Sequence, residues 1–261
     1  MEIRVMPGIK SLGNGIAEIR LNDFEDFDYV VREKLLDHPY MIYRGQHDST
    51  WPLRTSIDRI FLDQHKTVPS QVDADKHLST FKFATRGRLG QGWIPQDDDS
   101  WWSLGQHFGL ATPLLDWTES PYVAGYFAFS EPNQSPNNGI NERIVYCLDP
   151  VEIEKVCATL APQEQVRIIQ PLLDQNARLV SQRGLFTRLP LGIDLESWVA
   201  KNFHGEDELA VLVRIVVPES VQDREKFLRV LNRKNINPLT LFPDLFGAST
   251  YANNSIFIVN Y

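Results

Sequence analysis

Apolar residues recur at three- and four-residue spacing in three long stretches and bunch into short runs elsewhere, a pattern that predicts helices mixed irregularly with strands. Across residues 23–38, Phe24, Phe27, Val31 and Leu35 mark one face of an amphipathic helix opened by Asn22 or Asp23. Residues 70–88 carry Val72, Leu78, Phe81 and Thr85 at helical intervals and lead into a glycine-rich acidic loop, 90–100, while residues 220–234 form a capped amphipathic helix. Shorter helices are expected over 101–108, over 121–129, where Pro121 suits a first turn, and over 164–173. The strand signals fall within 2–21, with turns at Gly8, Gly13 and Gly15, and at 39–44, 110–115, 143–148, 178–188, 209–218 and 255–261. On this reading Gly45 stops a strand and leaves Arg44 at its end, residues 116–120 form a turn that caps the next helix, and Gly184 marks another turn. The elements do not alternate as in a doubly wound sheet. The expected class is α+β: a mixed, mainly antiparallel central sheet with flanking helices.

Composition narrows this little. At 261 residues the chain sits near the upper limit of a single core, so 1–261 is read as one domain. Apolar residues at 43% and charged residues at 23% exclude a disordered or fibrous chain. No window approaches ~20 consecutive apolar residues, and Met1-Glu2-Ile3-Arg4 does not begin a signal peptide, so the expected location is the cytoplasm with no membrane partner. Cys147 and Cys157 are too few for a disulfide framework or a zinc site and read as small buried hydrophobes; no metal is expected. A formal charge of -8 opposes nonspecific attraction to phosphate backbones and disfavours nucleic acid as a partner.

The run Tyr43-Arg44-Gly45-Gln46, followed by Trp51-Pro52-Leu53 and Arg59, resembles the aromatic-Arg-Gly signature of the FRG domain. Three further blocks carry the resemblance: Gln106-His107-Phe108-Gly109-Leu110 running into Leu114-Leu115-Asp116-Trp117-Thr118; Ser181-Gln182-Arg183-Gly184-Leu185-Phe186-Thr187; and Leu241-Phe242-Pro243-Asp244-Leu245-Phe246-Gly247. They imply a family core from about residue 40 to 248, with residues 1–39 packed onto it as strands and a helix. Pro113, where the pattern leads one to expect an arginine, and Phe246 depart from it. The layout also resembles ADP-ribosyltransferase-like NAD-binding folds: Arg44 matches an arginine that closes the first core strand, Trp117-Thr118 with Ser120 falls near their second element, and Gln182 near the third. That resemblance implies NAD, as ligand or substrate. In an enzyme it implies cleavage of the nicotinamide N-glycosidic bond, with hydrolysis or ADP-ribosyl transfer, by a bacterial toxin or antiphage effector. The alternatives are a non-catalytic nucleotide-sensing or protein-interaction module, and a nucleic-acid processing protein.

The candidate catalytic residues are Arg44, His107 and Gln182. A guanidinium with five donors and no acceptor needs a phosphate, or internal partners such as Asp116 or Asp48. A neutral imidazole at His107 serves as acid, base or ribose donor, or as a satisfied cap or core residue. Gln182 can orient a ribose hydroxyl but, unlike a glutamate, cannot stabilise an oxocarbenium ion by charge. Asp116 and Thr118 are expected to cap the following helix or to help its N-terminus hold an anion, and Trp117 to stack on a base. Tyr43, Gly45, Gln46, Gln106, Phe186 and Thr187 complete the expected ligand-binding set. Glu206-Asp207-Glu208 is an alternative source of a carboxylate or a solvated face, and Trp93, Trp101 and Trp102 around Asp97-Asp98-Asp99 are expected to form a lid over a pocket or a protein-binding face, or to pack beneath a loop.

Overall fold

The computed structural model describes residues 8–89, 94–132, 142–171, 177–205 and 209–261. The chain opens with a hairpin of β1 (Ile9–Gly13) and β2 (Ile16–Arg20), turned at Gly13-Asn14-Gly15, where all three residues have positive φ. Helix α1 (Glu25–Val30) continues as a π-helical turn, Val31–Leu35. Then come β3 (Ile42–Gln46), α2 (Ser56–His65), α3 (Gln71–Ala84), α4 (Asp98–His107), β4 (Leu114–Thr118), α5 (Pro121–Phe129), β5 (Glu142–Leu148) and α6 (Pro150–Cys157). The C-terminal half adds β6 (Arg167–Ile169), α7 (Ala177–Ser181), β7 (Gly184–Arg188), α8 (Leu195–Asn202), β8 (Leu212–Pro218), α9 (Val221–Arg233), α10 (Pro238–Leu241) and α11 (Leu245–Phe257). No helix among the described residues is long and apolar enough to cross a membrane.

The strands form one sheet in the order β1-β2-β8-β5-β3-β4-β7-β6, antiparallel throughout except where β2 meets β8. Alternation explains the near-continuous apolar runs of β5 and β8, which are covered on both faces. Val145, Cys147, Val213, Ile215 and Val217 join a cluster with Phe27, Ala124, Phe129, Phe227 and Leu228, from α1, α5 and α9. Ile144, Tyr146, Leu148, Leu212 and Val216 join the opposite cluster with Ile153 of α6 and Leu195, Trp198 and Val199 of α8. A third cluster, of Ile57, Ala74, Leu78, Trp102, Leu114 and Phe186, seats α2, α3 and α4 beside the β4–β7 end of the sheet.

Several expectations are corrected. Gly45 does not stop β3: the strand runs on to Gln46 between β5 and β4, with Arg44 opposite Tyr146, so Arg44 lies inside a strand. The glycine is there because α5 crosses β3 so closely that a Cβ would lie 2.0 Å from the Ala124 carbonyl oxygen. Asp116, Trp117 and Thr118 form no turn; they lie in β4 opposite Phe186, Leu185 and Gly184. The cap of α5 is Ser120, whose hydroxyl accepts from Val123 N at 3.4 Å. Residues 164–173 are not a helix: a single 3-10 turn, Pro162–Glu164, leads into edge strand β6. Residues 178–188 are not extended throughout, because α7 precedes β7, and the turn falls at Arg183, with φ 48°, instead of Gly184. The expected closing strand at 255–261 is absent: α11 runs on to Phe257 and a turn follows it, and the helix is capped by Asp244, whose carboxylate accepts from Phe246 N at 2.9 Å and Gly247 N at 3.2 Å. Trp102 is buried in the third cluster and Trp101 packs edge-on against Phe81, so these two make packing and no lid. Trp93 and residues 206–208 lie outside the described residues.

Candidate functional site

β3 and β4 pair at a single position, Tyr43 opposite Thr118, and the ladder goes no further. Where the next rung would form, the Arg44 side chain takes over: its Nη1 donates to the Asp116 backbone oxygen at 2.8 Å and lies 3.5 Å from Asp116 Oδ2. With Pro113 where an arginine was expected, Arg44 is the residue that engages Asp116. A cleft of about 760 Å³ opens at this split in the sheet, within the usual size of small-molecule sites.

Its walls come from β3, the following loop, α2, the C-terminal end of α4, β4, the flank of α5, α7, β7 and Phe242. Of the residues singled out from sequence, Tyr43, Arg44, Gly45, Gln46, Gln106, His107, Asp116, Trp117, Thr118, Gln182 and Phe186 all line this cleft. Thr187 does not; it is fully buried, and its hydroxyl accepts the Trp117 indole N–H at 2.9 Å. This corrects Trp117 too. With 3% of its surface exposed and its ring packed in the α6–α8 cluster, it offers no face to a guest. The aromatic surface at the cleft is instead Trp51, 49% exposed and edge-on to His47, together with Phe127 and Phe242.

Several lining groups already have internal partners. The Gln46 amide donates to the Trp51 backbone oxygen at 2.9 Å and fixes the loop after β3. Gln182 Nε2 donates to the Leu241 backbone oxygen at 3.0 Å, and the Gln182 backbone oxygen accepts from the Thr118 hydroxyl at 2.6 Å. Tyr43 is buried against Cys147, and burial holds its phenol above the ordinary value, so it stays neutral. The first turn of α5 does not reach the cleft, which touches that helix at Ala124 and Phe127, so the expected anion site at the helix N-terminus is absent from the cleft.

Other groups are held but open. Arg44 Nε is buried and, among the described residues, nothing accepts its proton. Arg59 Nη1 is anchored on the Arg54 backbone oxygen at 2.7 Å, and the Arg59 pKa is lowered, by burial first and by the Arg44 charge second. Arg178 donates from Nε to Asp244 Oδ2 at 2.6 Å, with its guanidinium 5.5 Å from the Phe242 ring and 5.4 Å from that of Phe246. His107 and His47 both have lowered pKa values; burial is the main cause for each, followed by Arg178 for His107 and by Arg143 for His47. Both imidazoles are therefore held neutral. Asp116 is the one carboxylate among the described lining residues, against Arg44 and Arg59, with Arg178 already paired to Asp244, so the cleft keeps an excess of positive charge in a chain of charge -8.

Sequence reasoning did not assign a role to His47, Trp51, Arg59, Phe127, Arg178 or Phe242. Trp51, Arg59 and Phe242 stand within the motif blocks, a signal that could have found them. Arg178 had none, because it enters from α7, a helix hidden in a segment that reads as extended.

Residues 39–137 match the family model described as the FRG domain. The chain contains an FRG domain. The matched segment supplies Arg44, Arg59, Gln106, His107 and Asp116, and the remainder of the chain closes the cleft with Arg178, Gln182, Phe186 and Phe242. No curated protein and no solved structure matches the chain. Among the described residues, no group of three or more His, Cys, Asp or Glu stands together to hold a metal ion.

Proposed function

We propose that the cleft of this FRG domain binds a small phosphate-bearing nucleotide of the NAD class. The observation that carries this is the state of Arg44: one edge of its guanidinium is fixed on the Asp116 carbonyl, its buried Nε has no acceptor among the described residues, and Arg59 stands close enough to be perturbed by its charge. Two neighbouring guanidinium groups opening on a cleft with one carboxylate among its described lining residues favour an oxyanion ligand, which arginine holds by charge-assisted and commonly bidentate bonds. Exposed Trp51, with Phe127 and Phe242, supplies a surface on which a base can stack.

Thermal-shift measurements with NAD, ADP-ribose, ADP and pyrophosphate test this reading. A ligand of the folded state adds about 2.7 kcal/mol of stability at a hundredfold excess over Kd. A rise with NAD or ADP-ribose that disappears in Arg44→Gln supports the proposal, and no shift with any of the four overturns it.

Binding without turnover is the reading favoured at Gln182, whose amide is engaged by Leu241 and which brings no carboxylate to the cleft. Incubation with NAD should then leave nicotinamide bound in the intact dinucleotide. Nicotinamide release by the wild type that is lost in Arg44→Ala would instead make the protein an NAD-cleaving enzyme.

A further inference from the structure

Asp116 is out of place in a cleft built for an anion. It stands among Arg44, Arg59 and Arg178, yet it is not used up in an ion pair: Arg44 donates mainly to its backbone oxygen, and the approach to Oδ2 is a loose 3.5 Å. The side chain is 61% exposed. Its orientation is nevertheless fixed. Oδ2 accepts from Gln106 Nε2 at 3.0 Å, and Gln106 is in turn held by Thr112, whose hydroxyl donates to Gln106 Oε1. The carboxylate itself sets which end of the Gln106 amide faces it, since only the NH2 end can donate to an acceptor, and the Thr112 hydroxyl then donates to the oxygen at the other end.

A carboxylate beside a phosphate site repels a ligand that is anionic all over, by an amount that grows as water is excluded. It favours one that brings hydroxyl donors next to its phosphate. Oδ1, without a hydrogen-bond donor among the described residues, is the acceptor such donors would meet. We infer that Asp116, oriented by Gln106, reads the vicinal hydroxyls of a ribose whose phosphate is held by Arg44 and Arg59, which makes it the residue that selects ribonucleotides over other phosphate esters. This rests on the phosphate-binding reading of the cleft and assigns Asp116 a role distinct from helix capping or anion binding.

The test is isothermal titration of wild type and Asp116→Asn with three probes: ADP, 2′,3′-dideoxy-ADP and inorganic pyrophosphate. Asparagine keeps an oxygen that Gln106 and Arg44 can reach, and the position is exposed, so the fold is retained. Wild type should bind ADP about tenfold or more tighter than the dideoxy analogue, since a hydrogen bond to a charged group is worth about 1.5–3 kcal/mol. In Asp116→Asn that ratio should fall to within about threefold, while pyrophosphate binds more tightly because a repelling charge has gone. A ribose preference that is missing from wild type, or that survives intact in the variant, overturns the inference even if pyrophosphate binds. Failure of wild type to bind any of the three overturns the phosphate-binding reading itself. If the variant loses all three probes in parallel, Asp116 maintains the cleft's shape and does not read the sugar, which also overturns the inference.

Discussion

A methyl group added at Gly45 would lie 2.0 Å from the Ala124 carbonyl oxygen and 2.6 Å from the Ala128 nitrogen, backbone atoms that cannot swing aside. Gly45→Ala is therefore expected to cost at least about 2–3 kcal/mol of stability, the upper range for overpacking, as measured by urea unfolding. A loss under about 1 kcal/mol would mean that α5 does not press on β3 as described. At Thr187 the expectation separates fold from site. Thr187→Val strands the buried Trp117 indole N–H and should cost about 1–3 kcal/mol, with nucleotide affinity unchanged in the same titrations. Arg44, Gln106, His107, Asp116 and Gln182 were legible as a set because the motif blocks name them, and the cleft does gather them. Their individual duties were not legible. Whether a glutamine faces a ligand or a backbone carbonyl depends on neighbours far away in sequence, as with Gln182 and Leu241 O, 59 residues apart.

Among the elements, the helices with clear spacing, α1 with its π-helical continuation, α3 and α9, were readable, and so were the central strands β5 and β8. What failed did so for local reasons. Strand β6 has three residues, too few for alternation to show, and α7 has five, too few for a helical period. Helix α11 is apolar yet mostly exposed, so its hydrophobic tail resembled a strand. Helix α2 passed unnoticed because its buried side is narrow, with only Ile57 and Asp58 fully covered. Helix α5 carries a device that no local pattern announces. Arg143, with 0% of its side chain exposed, pairs with Glu219 and donates to the Ala128 and Glu131 oxygens, and Arg224 donates to those of Phe129 and Ser130. These two arginines satisfy the carbonyls at the end of α5. Arg143→Met leaves Glu219 buried and unpaired and should cost about 3–5 kcal/mol, read from the denaturant midpoint at constant m-value. Glu219→Gln combined with Arg143→Met should recover part of that loss.

For the molecule as a whole, proton and salt dependence follow from where charge is kept. His47 and His107 have folded-state pKa values below their ordinary 6.5, so as pH falls through about 6.5 the unfolded chain takes up protons first and stability declines toward the lowered native values. Replacing both with glutamine should flatten the stability difference between pH 7 and pH 5 relative to wild type; an unchanged difference would show that these imidazoles are not buried neutral. The sheet split at β3 and β4 lies within the matched FRG segment, residues from the C-terminal half close the cleft it opens, and that cationic cleft lies in a protein of net charge -8. Anion affinity should therefore fall with added salt, since the attraction is local and screened over about 8–10 Å at ordinary ionic strength. The most direct measurement is isothermal titration of ADP-ribose into wild type, Arg44→Gln and Arg59→Gln at one fixed salt concentration. Saturable one-site binding by wild type, weakened about tenfold or more in each variant, is the expected result for a phosphate held by both guanidinium groups. Folded wild type that gives no binding, or variants that bind as tightly as wild type, would contradict it.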